Sequence, residues 1–313
     1  MPAVANWDDV EPVRRERGHM AATWQDLGEA AGSVTVGLTR IAIDPGKWST
    51  PAHQEGSEEE IFFVLGGSGV SWQFDGEAPA AYQVRRGDCL VHLALAEAHT
   101  LKAGPDGLDV LAFGMRAYAD AATHLPRAGV SWLGETYVVT GSREGHPWAH
   151  EAAAGEPEFG DVYERPPTIV NLDDVEAEET ARTTVVGTHR DLGRAAGSLR
   201  TGLQHVVAAP GRLAAPPHCH GAEEELFVVL DGHGTLVLGD EEHPLRPGAL
   251  VSRPAGTRVA HALRAGDEPL TYLAYGTRDP NDITYYPRSD KLNFRGVGVI
   301  TGVERLGYWD GED

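Results

Sequence analysis

Pro216 to Gly232 reads PPHCHGAEEELFVVLDG, with His218 and His220 two residues apart, Glu225 five further on and Gly232 closing the next turn. On an extended strand, residues two apart share a face, so both imidazoles point the same way and Cys219 points the other. That sets Cys219 aside as a ligand. Glu225, Phe227 and Val229 alternate with Leu226, Val228 and Leu230, which puts Glu225 on the inward face at the start of the next strand and leaves Glu223 and Glu224 in the turn before it. Downstream, RPGALVSRPAGTRVAHALRAG supplies Gly248 and a Pro254-Ala255-Gly256 turn ahead of His261, on a strand that can return an imidazole to the same point. Burying three imidazoles and a carboxylate without partners costs several kcal/mol, and a shared metal ion removes that cost.

The same pattern occurs twice. Asn6 to Val10 (NWDDV) recurs as Asn171 to Val175 (NLDDV), and DLGEAAGS from Asp26 recurs as DLGRAAGS from Asp191, both at an offset of 165. That offset also carries Pro45-Gly46 to Pro210-Gly211, His53 to His218, and EEEIFFVLGG from Glu58 to EEELFVVLDG from Glu223. Later matches follow small deletions: HTLKAG at His99 with HALRAG at His261, LAFGMR at Leu111 with LAYGTR at Leu273, VVTG at Val138 with VITG at Val299, and Trp148 with Trp309. A repeat this long is a duplicated domain rather than a solenoid unit. The Ala-, Glu-, Gly- and Pro-rich stretch 149–167 separates the copies, so the predicted domains are 1–165 and 166–313. The opening segments, 6–25 and 171–190, are predicted as edge strands or as arms crossing to the other domain.

The two linked motifs, Gly-His-x-His-Glu-Gly followed by Gly, Pro-x-Gly and a late His, resemble the signature of the cupin superfamily. The duplication resembles bacterial metal-binding bicupins. The resemblance implies an all-β chain of two jelly-roll barrels, with His218, His220, Glu225 and His261 on the family's metal positions. The gap from Gly256 to His261 is longer than the shortest family form, and Ala265 stands where a late Asn is usual; neither departure removes a ligand.

The first copy departs further. PPHCH becomes PAHQE, so Glu55 stands where the second His should be, while His53, Glu60 and His99 still align. The Pro-x-Gly turn is replaced by Leu93-Ala94-Leu95. His53, Glu55, Glu60 and His99 form a candidate second site, and two carboxylates would neutralise a divalent ion there and leave a weaker Lewis acid. The alternative is a vestigial barrel kept as scaffold. His92, aligned with Arg253, reads as structural. Arg127 and Arg288, like Arg116 and Arg278, survive the duplication and read as structural, with an anion clamp as the alternative.

Composition supports this reading and narrows the partners. With 38 Gly and 20 Pro against 7% aromatics, the chain suits short strands and tight turns. Its 26 Lys and Arg against 47 Asp and Glu give a formal charge of −21, which repels phosphate backbones and anionic lipids, so neither nucleic acid nor a membrane is expected as a partner. Two cysteines and an N-terminus without basic or apolar signal regions point to a cytoplasmic protein, and a homodimer is compatible.

Three imidazoles and one carboxylate leave a divalent metal with open positions. Borderline N/O ligation admits Fe, Mn, Zn, Ni or Cu. The expected activity is that of a metal-dependent, dioxygenase-like cupin acting on a small organic acid or a phenolic or enol compound. The alternatives are a non-catalytic small-molecule binding or sensing protein, and a decarboxylase or isomerase. An oxalate-decarboxylase-like bicupin would carry intact ligand sets in both barrels, and Glu55 counts against it.

Overall fold

The computed structural model of the chain describes residues 3–116, 122–133, 136–139 and 146–312. Thr140 and Gly141 of the first copy's VVTG lie outside the described residues.

The apolar runs Ile61 to Val64 and Leu226 to Val229 sit at the centre of the architecture because both of their faces are buried. In the strand Glu60–Phe74, Phe62 and Val64 point into the first barrel's own core. Ile61 and Phe63 point outward and join Leu226, Val228, Leu273 and Tyr275 of the second half in one shared core. The strand Glu225–Asp231 repeats the division, with Phe227 and Val229 inside the second barrel. A strand covered on both sides has no use for polar alternation, which is why these segments read as continuous apolar stretches. The Phe113 and Tyr275 rings meet across the junction with centroids 4.9 Å apart.

One sheet of the first barrel runs, in spatial order, Ile169–Asn171, Asp88–His92, Glu60–Phe74, Ala98–Met115, Val36–Ile43, Met20–Asp26 and Val13–Arg17. Its counterpart runs Ala5–Asn6, Ala249–Arg253, Glu225–Asp231, Leu270–Thr277, Thr201–Ala208, Val186–Asp191 and Glu178–Ala181. The outermost strand at one end of each sheet comes from the other half. Ala5 and Asn6 pair with Leu250 and Ala249, while Ile169 to Asn171 pair with Leu90 to Asp88. The arms therefore cross, and each covers a sheet edge that would otherwise expose unpaired amides. Gly248 of the second motif serves this exchange, since a Cβ there would run into the Trp7 indole of the arriving arm.

The recurring DLG(E/R)AAGS segments form short helices, Leu27–Ala31 and Leu192–Ala195, whose N-caps Asp26 and Asp191 accept from the amides of Glu29 and Arg194. The same two aspartates pair with Arg116 and Arg278, which accounts for the retention of both arginines.

Glu223 and Glu224 lie in the connection before the strand that begins at Glu225, as expected, but they are not solvated. Both are buried, and so is Glu59 in the first half. Glu224 crosses to the first half and accepts from the Val34 amide at 2.9 Å, the Thr35 amide at 2.5 Å and the Thr35 hydroxyl at 2.7 Å. Glu59 makes the reciprocal contact, accepting from the amides of Leu199 (2.8 Å), Arg200 (3.2 Å) and Thr201 (3.1 Å) and from the Ser198 hydroxyl (2.7 Å). A run of acidic residues looks solvated in one dimension; here two of its members are anchors between barrels.

Candidate metal centres

His218 and His261 exchange backbone hydrogen bonds, His218 N to His261 O at 3.1 Å and His261 N to His218 O at 2.8 Å, which puts both side chains on one face. His220 is fixed independently, on the strand Cys219–His220 that pairs with Ile283–Tyr286. Glu225 opens the strand Glu225–Asp231 between Arg253 and Gly276. The four elements converge on one atom. Glu225 Oε2 lies 2.8 Å from His261 Nε2, 3.3 Å from His220 Nε2 and 3.5 Å from His218 Nε2. Ligand atoms of His218, Glu225 and His261 all fall within 4.8 Å of one another.

These contacts do not satisfy the groups that make them. Nε2 of His220, Nε2 of His261 and Oε2 of Glu225 are buried without a hydrogen bond of acceptable geometry, the arrangement expected of lone pairs directed at a common cation. Two of the three outward ring nitrogens are engaged: His218 Nδ1 donates to the Pro216 carbonyl at 2.7 Å, and His220 Nδ1 donates to Asp282 Oδ2 at 2.8 Å, whereas His261 Nδ1 is buried without a hydrogen-bond partner. Each bond directs that ring's Nε2 inward, as the hydrogen-bond acceptors behind metal-binding histidines do. Burial pushes the Glu225 carboxyl up, but the three surrounding imidazoles outweigh it and hold the group well below the usual carboxylate range. Burial likewise lowers His220, but Asp282 and Glu225 carry it up to about 10. The donor set fits a divalent transition metal.

Asp282 escaped sequence reasoning. It is buried and accepts from the amides of Ala222 and Glu223 and from the Thr284 hydroxyl, so its oxygens are committed to holding His220. The cluster His220, Glu223 and Asp282 is thus the outer shell of His220 rather than a separate site, with Glu223 held by Arg295 at 2.5 Å. The repeat gave no clear signal for it: the offset of 162 that aligns Arg116 with Arg278 sets Asp120 opposite Asp282, and the offset of 161 that aligns Thr123 with Thr284 sets Ala121 there. Asp282→Asn is expected to weaken metal affinity by about 10- to 100-fold, measured by competition with a chelating dye. An unchanged affinity would remove Asp282 from the centre.

In the first barrel, His53 and His99 exchange the same backbone bonds, at 3.1 and 2.8 Å, and His53 Nδ1 donates to the Pro51 carbonyl at 2.9 Å. His53, Glu60 and His99 bring ligand atoms within 4.8 Å of one another. Glu55 is turned away from this trio, accepting from the Thr123 hydroxyl at 2.8 Å with its other oxygen 3.9 Å from His53 Nε2. Burial, then the neighbouring Glu60, raises Glu55 to about 7. Unlike its counterpart, this site is partly self-satisfied, because His99 Nε2 and Glu60 Oε2 form a true hydrogen bond at 3.0 Å. His92 stands outside the trio, pairing with Glu97 at 2.7 Å and stacking on His99 at 3.7 Å between centroids.

The cavities differ as well. The one reaching His218 and Glu225 has a volume of about 550 Å³, against about 330 Å³ for the one reaching His53, Glu60 and His99. Trp24 lines the first barrel's cavity, packed against Trp148 and covered by Arg15; the matching position in the other is His189. Cys219 belongs to neither group of candidate ligands and lines an outer groove instead.

The Cupin domain family model matches residues 204–275, a stretch that contains His218, His220, Glu225 and His261. No curated protein matches the sequence. Among solved structures, the formate complex of oxalate decarboxylase from Lactobacillus farciminis is similar with a TM-score of 0.61 and 16% identity, over 90% of this chain and 88% of that one. An oxalate decarboxylase structure that addresses the substrate binding mode has a TM-score of 0.59 and 16% identity, over 88% and 76% of the two chains. Another, concerned with the Mn(II) centres of Bacillus subtilis oxalate decarboxylase, gives 0.58 and 15%, over 88% and 76%. Identity at this level speaks to the fold. The chain thus has the fold of two tandem jelly-roll barrels, similar to these structures, and its second barrel matches the cupin domain model over residues 204–275.

Proposed function

We propose that the protein is a metal-dependent bicupin enzyme whose working centre is His218, His220, Glu225 and His261, and whose reaction is an oxygenase-type conversion of a small organic acid or phenolic or enol compound. The chain is read as a catalytic unit 166–313 and a supporting unit 1–165. The observation that carries this reading is the convergence of the unpaired Nε2 atoms of His220 and His261 on Glu225 Oε2, with Glu225 and His218 lining a cavity of about 550 Å³. A divalent Fe, Mn, Zn or Ni ion held there supplies Lewis acidity toward a substrate oxygen. The residues set the conditions around it. Pro216 and Asp282 lock the inward-facing ring nitrogens, and Phe227 and Tyr272 form an aromatic wall, with rings 5.9 Å apart, that limits water near the centre. No helix among the described residues is long and apolar enough to cross a membrane.

Decarboxylation is the alternative reading, favoured by the oxalate decarboxylase neighbours. The weaker ligand set of the first barrel counts against an oxalate decarboxylase with two equivalent sites. Metal analysis of the isolated protein, followed by oxygen uptake and carbon dioxide release against a panel of organic acids and phenolics, separates the readings. Substrate-dependent oxygen uptake supports the oxygenase, and carbon dioxide release without oxygen uptake supports the decarboxylase. Bound metal with neither activity across the panel defeats both and leaves the binding protein.

A further inference from the structure

We infer that Arg288 is the specificity residue of the second barrel, gripping the carboxylate of an aromatic or similarly apolar acid whose other end faces Glu225 and His218. This rests on the metal-centre reading above and adds the substrate class. Arg288 and Arg127 occupy matching positions in the two Pro-Arg segments, and sequence alone suggested the same structural role for both.

The structure separates them. Arg127 Nε donates to the buried Glu151 carboxylate at 2.7 Å, and its Nη2 donates to the Gly155 carbonyl at 2.5 Å. Arg288 is exposed and has no hydrogen-bond or ion-pair partner among the described residues, yet it lines the same cavity as His218 and Glu225. Glu312, at the position matching Glu151, is exposed and forms no ion pair among the described residues. The first copy therefore shows what a guanidinium at this place binds, a carboxylate lying over the barrel, and the second copy leaves that position open.

The cavity walls describe the rest of the ligand. Tyr272 replaces Val110, and it lines the space with Phe227 and Tyr286, whose ring lies 5.9 Å from that of His218. Gln204 replaces Thr39 and adds an amide with no hydrogen-bond partner among the described residues. A volume of about 550 Å³ lies within the range of sites for compounds with a ring or branched body. Oxalate has no apolar surface to set against the aromatic walls. A chain of net charge −21 repels anions in general, so drawing one to this opening requires a local cation, and a planar guanidinium matches a carboxylate with two parallel donors.

The test uses the full chain loaded with Co(II), with metal content measured first and the visible spectrum of the bound ion as readout. Its probes are 4-hydroxybenzoate and the neutral, nearly isosteric 4-hydroxybenzamide. The acid is expected to bind roughly tenfold more tightly than the amide, the order of one charge-assisted pair in a partly open site. R288Q is expected to erase that preference with cobalt content unchanged, while R305Q, in the outer groove, keeps it. Equal binding of acid and amide to the native chain, or a preference that survives R288Q, overturns the assignment and leaves the metal centre standing. Failure to take up cobalt at His218, His220, Glu225 and His261 defeats the metal-centre reading and this inference with it.

Discussion

Glu225→Gln is expected to lower metal content by the second barrel's one ion and to weaken metal affinity there by more than about 100-fold. The magnitude follows from position: loss of an outer-shell partner typically costs about 10- to 100-fold, and Glu225 Oε2 is the atom on which all three imidazoles converge. The change keeps the side chain's size, so the strand Glu225–Asp231 and its packing through Leu226 and Phe227 should persist. Stability then provides an independent reading. A metal that binds only the folded chain stabilises it by about 2.7 kcal/mol at a free concentration 100 times its dissociation constant. The melting temperature of the native chain should therefore rise with added metal, and most of that response should vanish in the variant. Unchanged metal content by elemental analysis would defeat the ligand assignment whatever the melting curves show.

The other large effect is expected between the barrels. Glu59→Ala and Glu224→Ala should each destabilise the chain by about 3–5 kcal/mol, a substantial part of the roughly 5–15 kcal/mol that separates folded from unfolded domains. The cost arises from what remains after the carboxylate is gone. Glu59 satisfies the amides of Leu199, Arg200 and Thr201 and the hydroxyl of Ser198, and a buried donor deprived of its acceptor costs about 1–3 kcal/mol. Glu224 does the same for Val34, Thr35 and Ser252. Urea unfolding measures the shift, with the exposed Glu179→Ala as a control expected to change stability by no more than about 0.5 kcal/mol. A midpoint for Glu59→Ala that matches the control would show that the contact contributes nothing to holding the barrels together.

Glu59 and Glu224 also mark how far the chain can be read in one dimension. In EEEIFF and EEELFV the last glutamate of each run, Glu60 or Glu225, was legible as an inward-facing candidate ligand because strand alternation fixes its side. The middle glutamate, Glu59 or Glu224, resembled an ordinary turn residue, because its acceptor role is defined by loops about 140 to 190 positions away. Asp282 was obscured for the same reason. Its value lies in reaching His220 Nδ1 across a strand pair, a contact that no local pattern in the chain records. The arginines divide likewise: Arg116 and Arg278 have the structural partners expected of them, whereas Arg127 and Arg288 share a motif and differ in whether a carboxylate meets them.

That the chain is two copies of one β-barrel, and that His218, His220, Glu225 and His261 belong together, could be read from the order of residues alone. Both conclusions rest on local regularities, a repeat in register and side chains alternating along strands, which survive projection onto a line. The crossing of the arms, the glutamates beside candidate ligands that join the barrels, and the unequal self-satisfaction of the two centres emerged only in three dimensions. So did the difference in room between the two cavities. These depend on distances between segments far apart in the chain, and a hydrogen bond or a cavity wall exists only once those segments have been brought within a few ångströms.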